Sequence, residues 1–332
     1  MTDTLRFVRA DTTPHSAAFK ARRDDPRISA CLVTLDADPQ PDRVQVVLVG
    51  VADDRGVRLS GGRVGAADGP SKFRDHFFRM PAPPELGPGS VLNAGDLEPA
   101  GHTPETHARL AEVVAVLRER FGAARMIVIG GGHDHAYGEV LGLARAVGRV
   151  QPAARIAVVN VAAHAGMRPY DAAREEPHAG TAFRRLLLEP AARLSGASLL
   201  AWGLQRSANA LAHLQFLQHH GAKMQFCDDV SGDERQAGMQ LAADLAALGQ
   251  GHAGMSLSVS LNAFAQAVSP GVSNPSPLGV PVRAVAHAAA ALARLELATQ
   301  LAIYELNPRF DQDGASARLA ALLAWSYATG MV

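Results

Sequence analysis

Short apolar runs rich in β-branched residues alternate along the chain with longer segments rich in alanine and leucine, and this alternation constrains the fold more than any other feature. The short runs are predicted strands at Val44–Val49, Met126–Ile129, Arg155–Val159, Ser198–Trp202, Lys223–Phe226, Met255–Val259 and Leu301–Leu306. The longer segments are predicted helices at Glu105–Phe121, Gly138–Val147, Ala182–Leu194, Ala208–His219, Asp233–Leu248 and Val282–Ala298. Nearly continuous apolar strands that alternate with helices are typical of a parallel sheet covered on both faces. We therefore predict an α/β fold of three layers, with a doubly wound, mostly parallel sheet and helices on both of its faces.

The domain organisation follows from length and composition. The chain has 332 residues, of which 48% are hydrophobic, enough for a substantial core. Residues 1–40 are polar and lack a clear period, so we predict an irregular N-terminal extension there. Residues 41–332 are predicted to form a single domain, because no new compositional regime follows the proline- and glycine-rich stretch from Met80 to Gly101. We interpret that stretch as a surface loop.

Charge and cysteine content exclude several classes of protein. Lys+Arg and Asp+Glu are equal at 32 each, without a long run of either sign, so neither nucleic acid nor a membrane surface is expected as a partner. Cys31 and Cys227 are far apart and form no CxxC motif, which indicates a reducing compartment rather than a disulfide framework. The N-terminus lacks the apolar core of a signal peptide, and the most apolar stretch is interrupted by charged residues. We expect a soluble, cytoplasmic protein.

Polar residues lie near the carboxyl ends of several predicted strands or shortly after them. Ligands bind beyond the carboxyl ends of the strands in open parallel sheets, so these positions are candidate sites. The segments are Gly130-Gly-Gly-His133-Asp134-His135, Asn160-Val-Ala-Ala-His164-Ala-Gly-Met-Arg168, Ser256-Leu-Ser258-Val-Ser260 and Glu305-Leu-Asn307-Pro308. They contain histidine, serine, carboxylate and amide groups, which indicates a polar site at one edge of the sheet.

Taken in this order, these segments resemble the ureohydrolase superfamily, which includes arginase, agmatinase and formimidoylglutamase, and they are most similar to formimidoylglutamase. Further stretches agree, namely Gly50-Val-Ala-Asp-Asp-Arg, Gly62-Arg-Val-Gly-Ala-Ala-Asp-Gly-Pro70, Asn93-Ala-Gly-Asp96 and Ala179-Gly-Thr-Ala-Phe183. The resemblance covers roughly residues 45 to 325. It implies an arginase-like α/β fold and hydrolysis of an amidine or guanidine carbon by a hydroxide that bridges two manganese ions.

The resemblance also implies which residues would hold the metals, and here the sequence departs from the family. The two histidine ligands of the family fall on His133 and His164. Its four aspartate ligands fall on neutral residues, namely Ala162, Gly166, Ser258 and Ser260. Two divalent ions bring a charge of about +4 into a partly buried cleft, and an uncompensated buried ion costs several kcal/mol. Alanine and glycine offer no side-chain donor and serine hydroxyls are weak ligands, so we expect no manganese pair at full occupancy.

The residues that the resemblance assigns to the organic ligand are retained. Glu305 would receive an amidinium or guanidinium group through charge-assisted hydrogen bonds, with Asn307 beside it as a further substrate-binding residue. Arg168 would meet a substrate carboxylate, and His178 is placed where it could act as a catalytic proton shuttle. The expected ligand is therefore a small molecule, either an amidine or a glutamate-like compound.

The histidines also have simpler interpretations. His133 and His164 could be cleft or core histidines that are hydrogen-bonded to the backbone, and His135 is better explained as a structural residue. A site for a single zinc or nickel ion is a further alternative, because three ligands and a water suffice for catalytic zinc. His133, His164 and either His178 or Asp134 would hold that ion.

The other site residues have structural alternatives as well. Glu305 could pair with Arg283 or Arg309, and Arg168 could be an ordinary surface charge. The serines at the Asp-x-Asp positions could be suspected of nucleophilic catalysis, but no Gly-x-Ser-x-Gly elbow surrounds them. Small polar fillers at positions that hold aspartates in the family are the simpler interpretation.

The leading functional hypothesis is a formimidoylglutamase-like protein that lacks the dimanganese carboxylates. Such a protein would be impaired or inactive by the family mechanism and would still bind a glutamate-like or amidine ligand. The alternative is an active hydrolase of C–N bonds in linear amidines, which converts N-formimino-L-glutamate to L-glutamate and formamide with a single metal or an altered site. We also expect a homo-oligomer, and a structural or regulatory subunit that joins an active paralogue is a third hypothesis.

Overall fold

A computed structural model describes residues 3–10, 24–173, 175–230 and 232–332 of the chain. Its strands are β1 (Val8–Arg9), β2 (Leu32–Thr34), β3 (Val46–Val51), β4 (Val91–Leu97), β5 (Arg125–Gly130), β6 (Ile156–Val161), β7 (Leu199–Leu204), β8 (Lys223–Phe226), β9 (Gly254–Ser260) and β10 (Ala298–Tyr304). Its α-helices are α1 (Arg55–Leu59), α2 (Gly69–Phe77), α3 (Thr103–Arg120), α4 (Ala136–Val150), α5 (Ala182–Leu188), α6 (Leu211–His219), α7 (Glu234–Gly249), α8 (Val282–Leu292) and α9 (Ala315–Thr329).

The described strands form one 10-stranded sheet in the order β1-β4-β3-β5-β10-β9-β6-β7-β8, with β2 also paired to β4. The short β1 runs antiparallel to β4, whereas the pairings of β3 with β4 and β5, and of β10 with β5 and β9, are parallel. The order brings β5, β10, β9 and β6 side by side. Because these strands are parallel, the loops that leave their carboxyl ends meet at one edge of the sheet.

Each face of the sheet is covered by its own hydrophobic core. In β3, Val46 and Leu48 belong to one core, and the alternate residues Val47 and Val49 belong to the other, as the two-residue period of a strand requires. Residues of α2, α7, α8 and α9 complete the first core, and residues of α3, α4 and α5 complete the second. The predicted three-layer, doubly wound and mostly parallel α/β fold is confirmed.

Several predicted boundaries are wrong. Helix α5 ends at Leu188 rather than Leu194, because the residue before Pro190 is driven to an extended conformation and the proline opens a separate 3-10 turn. Helix α8 ends at Leu292, and Ala298 begins strand β10 by pairing with β9. The alanine-rich sequence overstated the length of α8, since pairing to the sheet overrides a weak propensity. The short helices α1 and α2 and the C-terminal helix α9 were not predicted.

The segment predicted to be an irregular extension contributes short elements to the sheet. Strand β1 pairs with the end of β4, and β2 pairs with its beginning, so both lie on the edge of β4 that faces away from β3. Leu5, Ile28 and Leu35 from this segment are buried. The division of the chain at residue 40 stays a prediction. Among the described residues, no helix combines the length and apolarity needed to cross a membrane.

Helix α4 places one carboxyl group, that of Glu139, in the core of the protein. Glu139 is fully buried, and its Oε1 accepts hydrogen bonds from Ser256 Oγ and Gln300 Nε2. Burial raises the pKa of Glu139 from its ordinary 4.5 to about 7, because the charged form is poorly solvated there. The folded state therefore holds this proton more tightly than the unfolded state. The associated stability is present below pH 4.5 and is lost as the pH rises through about 7.

Replacing Glu139 with glutamine tests this linkage. The amide resembles the protonated carboxyl group, so Glu139→Gln should change the free energy of unfolding little at pH 5. At pH 9 the variant should be more stable than the wild type by on the order of 3 kcal/mol, because it avoids a buried negative charge. Urea denaturation at both pH values measures the difference. A variant that is equally destabilised at pH 5 and pH 9 would contradict the assignment.

Candidate ligand cavity

A cavity of about 250 Å³ opens at the carboxyl edge of the sheet. Five of the residues singled out in the sequence line it, namely His133, His164, Gly166, Arg168 and Glu305. They come from the ends of β5, β6 and β10, which the strand order places close together. The other candidates lie outside this lining, namely Ala162, His178, Ser258, Ser260 and Asn307.

His133 lies at the floor of the cavity and is only 7% exposed. Its backbone N–H donates to Glu305 Oε1 at 2.9 Å, and its Nε2 is 3.0 Å from Ser258 Oγ. The ring packs edge-on against Phe183 at 5.4 Å and lies 5.2 Å from the ring of Tyr304. Burial lowers the pKa of His133 to about 3, so the imidazole is neutral at physiological pH.

Glu305 follows β10 and is held in an unusual backbone conformation. Its φ of 70° lies in the left-handed region, which is rare for a residue other than glycine and is found where the surrounding structure imposes it. Its backbone N–H donates to Gly131 O at 2.8 Å, which aligns it with the glycine-rich turn after β5. Burial raises the pKa of Glu305 to about 7. The alternative pairings with Arg309 and Arg283 are not formed, because those residues pair with Asp68 and Glu234.

His164 and Arg168 form the opposite side of the cavity. Asn274 Nδ2 donates to His164 Nε2 at 3.3 Å, and burial, followed by the charge of Arg168, lowers the pKa of His164. Arg168 is exposed, and its backbone N–H donates to Gly180 O at 2.8 Å. Within the described part of the chain, no side chain pairs with its guanidinium group. The mouth of the cavity therefore carries an available positive charge.

The resemblance implies aspartates at four positions, and the residue present at each of them is buried. Gly166 has a φ of 69°, and a Cβ built there would lie 2.7 Å from Phe183 Cδ2. Ser258 is bonded to His133, as described above, and Ala162 is 1% exposed. Ser260 Oγ is buried and has no hydrogen-bond partner among the described residues.

Two of the predicted residues support the backbone of the site. His178 is partly buried, and its Nδ1 accepts from Gly180 N at 3.2 Å. Asn307, expected to bind substrate, is fully buried, and its Nδ2 donates to Arg63 O at 2.8 Å while its Oδ1 accepts from Arg309 N at 3.2 Å. Both ends of its amide are engaged with the backbone, so Asn307 orders the turn after β10 rather than facing a ligand.

A buried charged cluster beside the cavity was missed by the sequence analysis. Asp134 Oδ2 lies 2.9 Å from His107 Nε2 and 3.0 Å from His135 Nδ1, and all three side chains are inaccessible to solvent. Burial opposes ionisation of Asp134, yet the neighbouring histidines hold its pKa at about 2. The interpretation of His135 as structural agrees with this position. His107 lies near the N-terminus of α3, and no local spacing in the sequence connects it to residues 134 and 135.

The strand order and the cavity at the carboxyl edge define the class of protein. A family model described as the Arginase family matches residues 44–330, and the chain belongs to that family. Its similarity to formimidoylglutamases extends over most of its length. The chain is 32% identical over 296 residues to the formimidoylglutamase of Klebsiella pneumoniae, covering 87% of each protein. It is 29% identical over 316 residues to that of Geobacillus thermodenitrificans, covering 94% of this chain and 91% of the relative.

Solved structures of formimidoylglutamases share the fold of this chain. A formiminoglutamase of Trypanosoma cruzi crystallised with Mn²⁺ superposes with a TM-score of 0.77 at 27% identity, covering 92% of this chain and 98% of that one. Formimidoylglutamase from Bacillus subtilis superposes with a TM-score of 0.80 over 99% of this chain and 97% of that one, and at 21% identity it supports the fold alone.

The contact between Gly166 and Phe183 yields a matched pair of variants. Gly221 also has a positive φ, of 77°, but nothing lies within 4 Å of a Cβ built there. Gly221→Ala should cost about 1–2 kcal/mol from its left-handed conformation alone. Gly166→Ala should cost about 1–3 kcal/mol more, because Phe183 must move and the core around it is close-packed. Urea denaturation measures the free energy of unfolding of both variants. Equal losses would show that the Phe183 ring moves aside at no energetic cost.

Proposed function

We propose that this chain is a formimidoylglutamase-like member of the arginase family that binds a small amidine or glutamate-like ligand in the cavity and does not assemble a manganese pair. By this proposal it is impaired or inactive as a hydrolase of the family type. The observation that carries the proposal is the neutral set of side chains around His133 and His164, at positions where the resemblance would require carboxylates.

The donor set supports the metal part of the proposal. Mn²⁺ favours carboxylate and other oxygen ligands, with imidazole also accepted. Ser258 already shares a hydrogen bond with His133 Nε2, and Asn274 occupies His164 Nε2. Gly166 and Ala162 supply no side-chain donor at all. Two dications would therefore meet two neutral imidazoles and serine hydroxyls, which leaves most of their charge uncompensated in a buried setting.

The binding part rests on groups that remain available in the cavity. Glu305 presents a carboxyl group at the floor, suited to an amidinium or to a neutral N–H donor. No side chain in the described ranges pairs with the guanidinium of Arg168, so this group at the mouth is suited to a carboxylate in a bidentate contact. A carboxyl group at the floor and a guanidinium at the mouth match a short ligand that carries a basic or polar group at one end and a carboxylate at the other. N-formimino-L-glutamate has this arrangement and is the probe of choice.

Metal analysis tests the first part of the proposal. Protein produced with excess Mn²⁺ and then dialysed should contain well under one manganese per chain by plasma mass spectrometry. It should also release no glutamate from N-formimino-L-glutamate. Two manganese ions about 3.5–4 Å apart in a crystal of the soaked protein, the separation typical of two-metal sites, would reject the proposal. A single stoichiometric zinc or nickel ion with glutamate release would instead support a one-metal hydrolase.

Calorimetric titration tests the second part. Metal-free protein should bind N-formimino-L-glutamate, and Arg168→Met should weaken binding by about 10- to 100-fold, because a charge-assisted contact is lost. Arg283→Met is the matched control, since Arg283 is an exposed arginine on α8 that pairs with Glu234. It should leave the affinity unchanged. Equal losses in both variants, or no binding by the wild type, would contradict the proposed ligand.

A further inference from the structure

The cluster around Asp134 brings together groups that could be mistaken for a metal site. His107, Asp134 and His135 offer ligand atoms that all lie within 4.8 Å of one another, and all three are buried. Asp53 Oδ2 lies 3.8 Å from His135 Nε2. Two histidines and two carboxylates at this spacing would suit a divalent cation by composition.

The hydrogen bond from Arg185 removes His107 from the possible metal ligands. Arg185 Nη1 lies 2.9 Å from His107 Nδ1, and a guanidinium group can only donate. His107 Nδ1 must therefore accept, which leaves the proton of the neutral ring on Nε2. The Nε2–H group donates to Asp134 Oδ2 at 2.9 Å. Because Nε2 is protonated, it has no lone pair for a metal. Arg55 adds a second cation, since its Nη2 lies 2.6 Å from Asp53 Oδ2.

The same cluster joins the loops that form one wall of the cavity. A Cβ on Gly56 would lie 2.1 Å from Asp134 Oδ1 and one on Gly132 would lie 2.3 Å from it, so both backbones pack directly on this carboxylate. Gly56 O accepts from Ala179 N at 3.1 Å, and Gly132 N donates to Asp53 O at 3.1 Å. Asp134 thus contacts helix α1 and the turn that precedes His133. Through Gly56 it also supports the loop at Ala179.

The geometry points to Asp134 as a positioning residue for the ligand cavity, held by His107 and His135 in a buried hydrogen-bond network that leaves His107 no lone pair for a metal. Asp134 touches no ligand in this arrangement. It sets the placement of His133 and of Ala179 and Gly180, which line the cavity. The role in ligand binding rests on the proposed function, whereas the network itself does not.

Backbone hydrogen exchange followed by mass spectrometry tests the network without a ligand. Asp134→Asn and His107→Leu should each speed exchange about 10-fold in residues 131–135 and 178–181, with little change in α9. His107→Gln keeps an N–H donor near the position of Nε2 and should restore most of the protection. Glu139→Gln is the matched control, because it neutralises another buried carboxyl group that contacts none of these loops. Its exchange in both segments should equal that of the wild type.

Two further measurements test the inference even if one of the variants fails to fold. Long-range ¹⁵N–¹H spectra of the wild type should show His107 as the Nε2–H tautomer. Titration with N-formimino-L-glutamate should show an affinity about 10-fold weaker in His107→Leu and nearly normal in His107→Gln.

The inference is overturned by stoichiometric metal that His107→Leu removes, by the Nδ1–H tautomer, or by exchange that rises equally in Glu139→Gln. It is also overturned if His107→Gln is no better than His107→Leu in exchange. If the wild type does not bind the probe, the proposed ligand fails while the exchange and tautomer results still decide the network.

Discussion

Burial of the central strands on both faces is the constraint on which the rest of the structure depends. Every residue of β6 and β9 is buried, and the same holds for β5 after its first residue. Such strands have no solvated face for polar chemistry, so polar side chains are pushed to the strand ends or must be satisfied internally. The face of β9 that carries Ser256 and Ser258 illustrates the second case, since these serines bond to Glu139 and His133.

Charge is distributed unevenly around the cavity as a result. The floor holds neutral imidazoles, hydroxyls and the carboxyl group of Glu305, whereas Arg168 stands at the mouth. The ionised carboxylates of Asp53 and Asp134 lie behind the wall, where arginine and histidine side chains satisfy them. These buried acids therefore stabilise the scaffold without making the cavity negative. A ligand would meet a field that is positive at its entrance and close to neutral within.

The fold and the main site positions were predictable because both depend on local patterns. Apolar runs marked the central strands, and the residues directly after them identified His133, His164 and Glu305. Helix ends were harder to predict, because the termini of α5 and α8 depend on a proline and on strand pairing that alanine content does not reveal. His107 and Arg185 could not be connected to Asp134 from sequence, since their contact depends on how two helices pack. The burial of Asn307 and its bonds to the backbone of Arg63 and Arg309 could not be predicted from sequence, because both are tertiary properties.

The ring of Phe183 beside Gly166 has a consequence for how this position could change. An aspartate at position 166 would have to keep a left-handed backbone, which costs residues with a Cβ more than glycine, and would need space that an aromatic ring already fills. The same ring packs against His133, so moving it would disturb a second part of the floor. Introducing a carboxylate at this position thus requires several coordinated changes rather than one. Such epistasis makes the present form of the position resistant to change by single mutations.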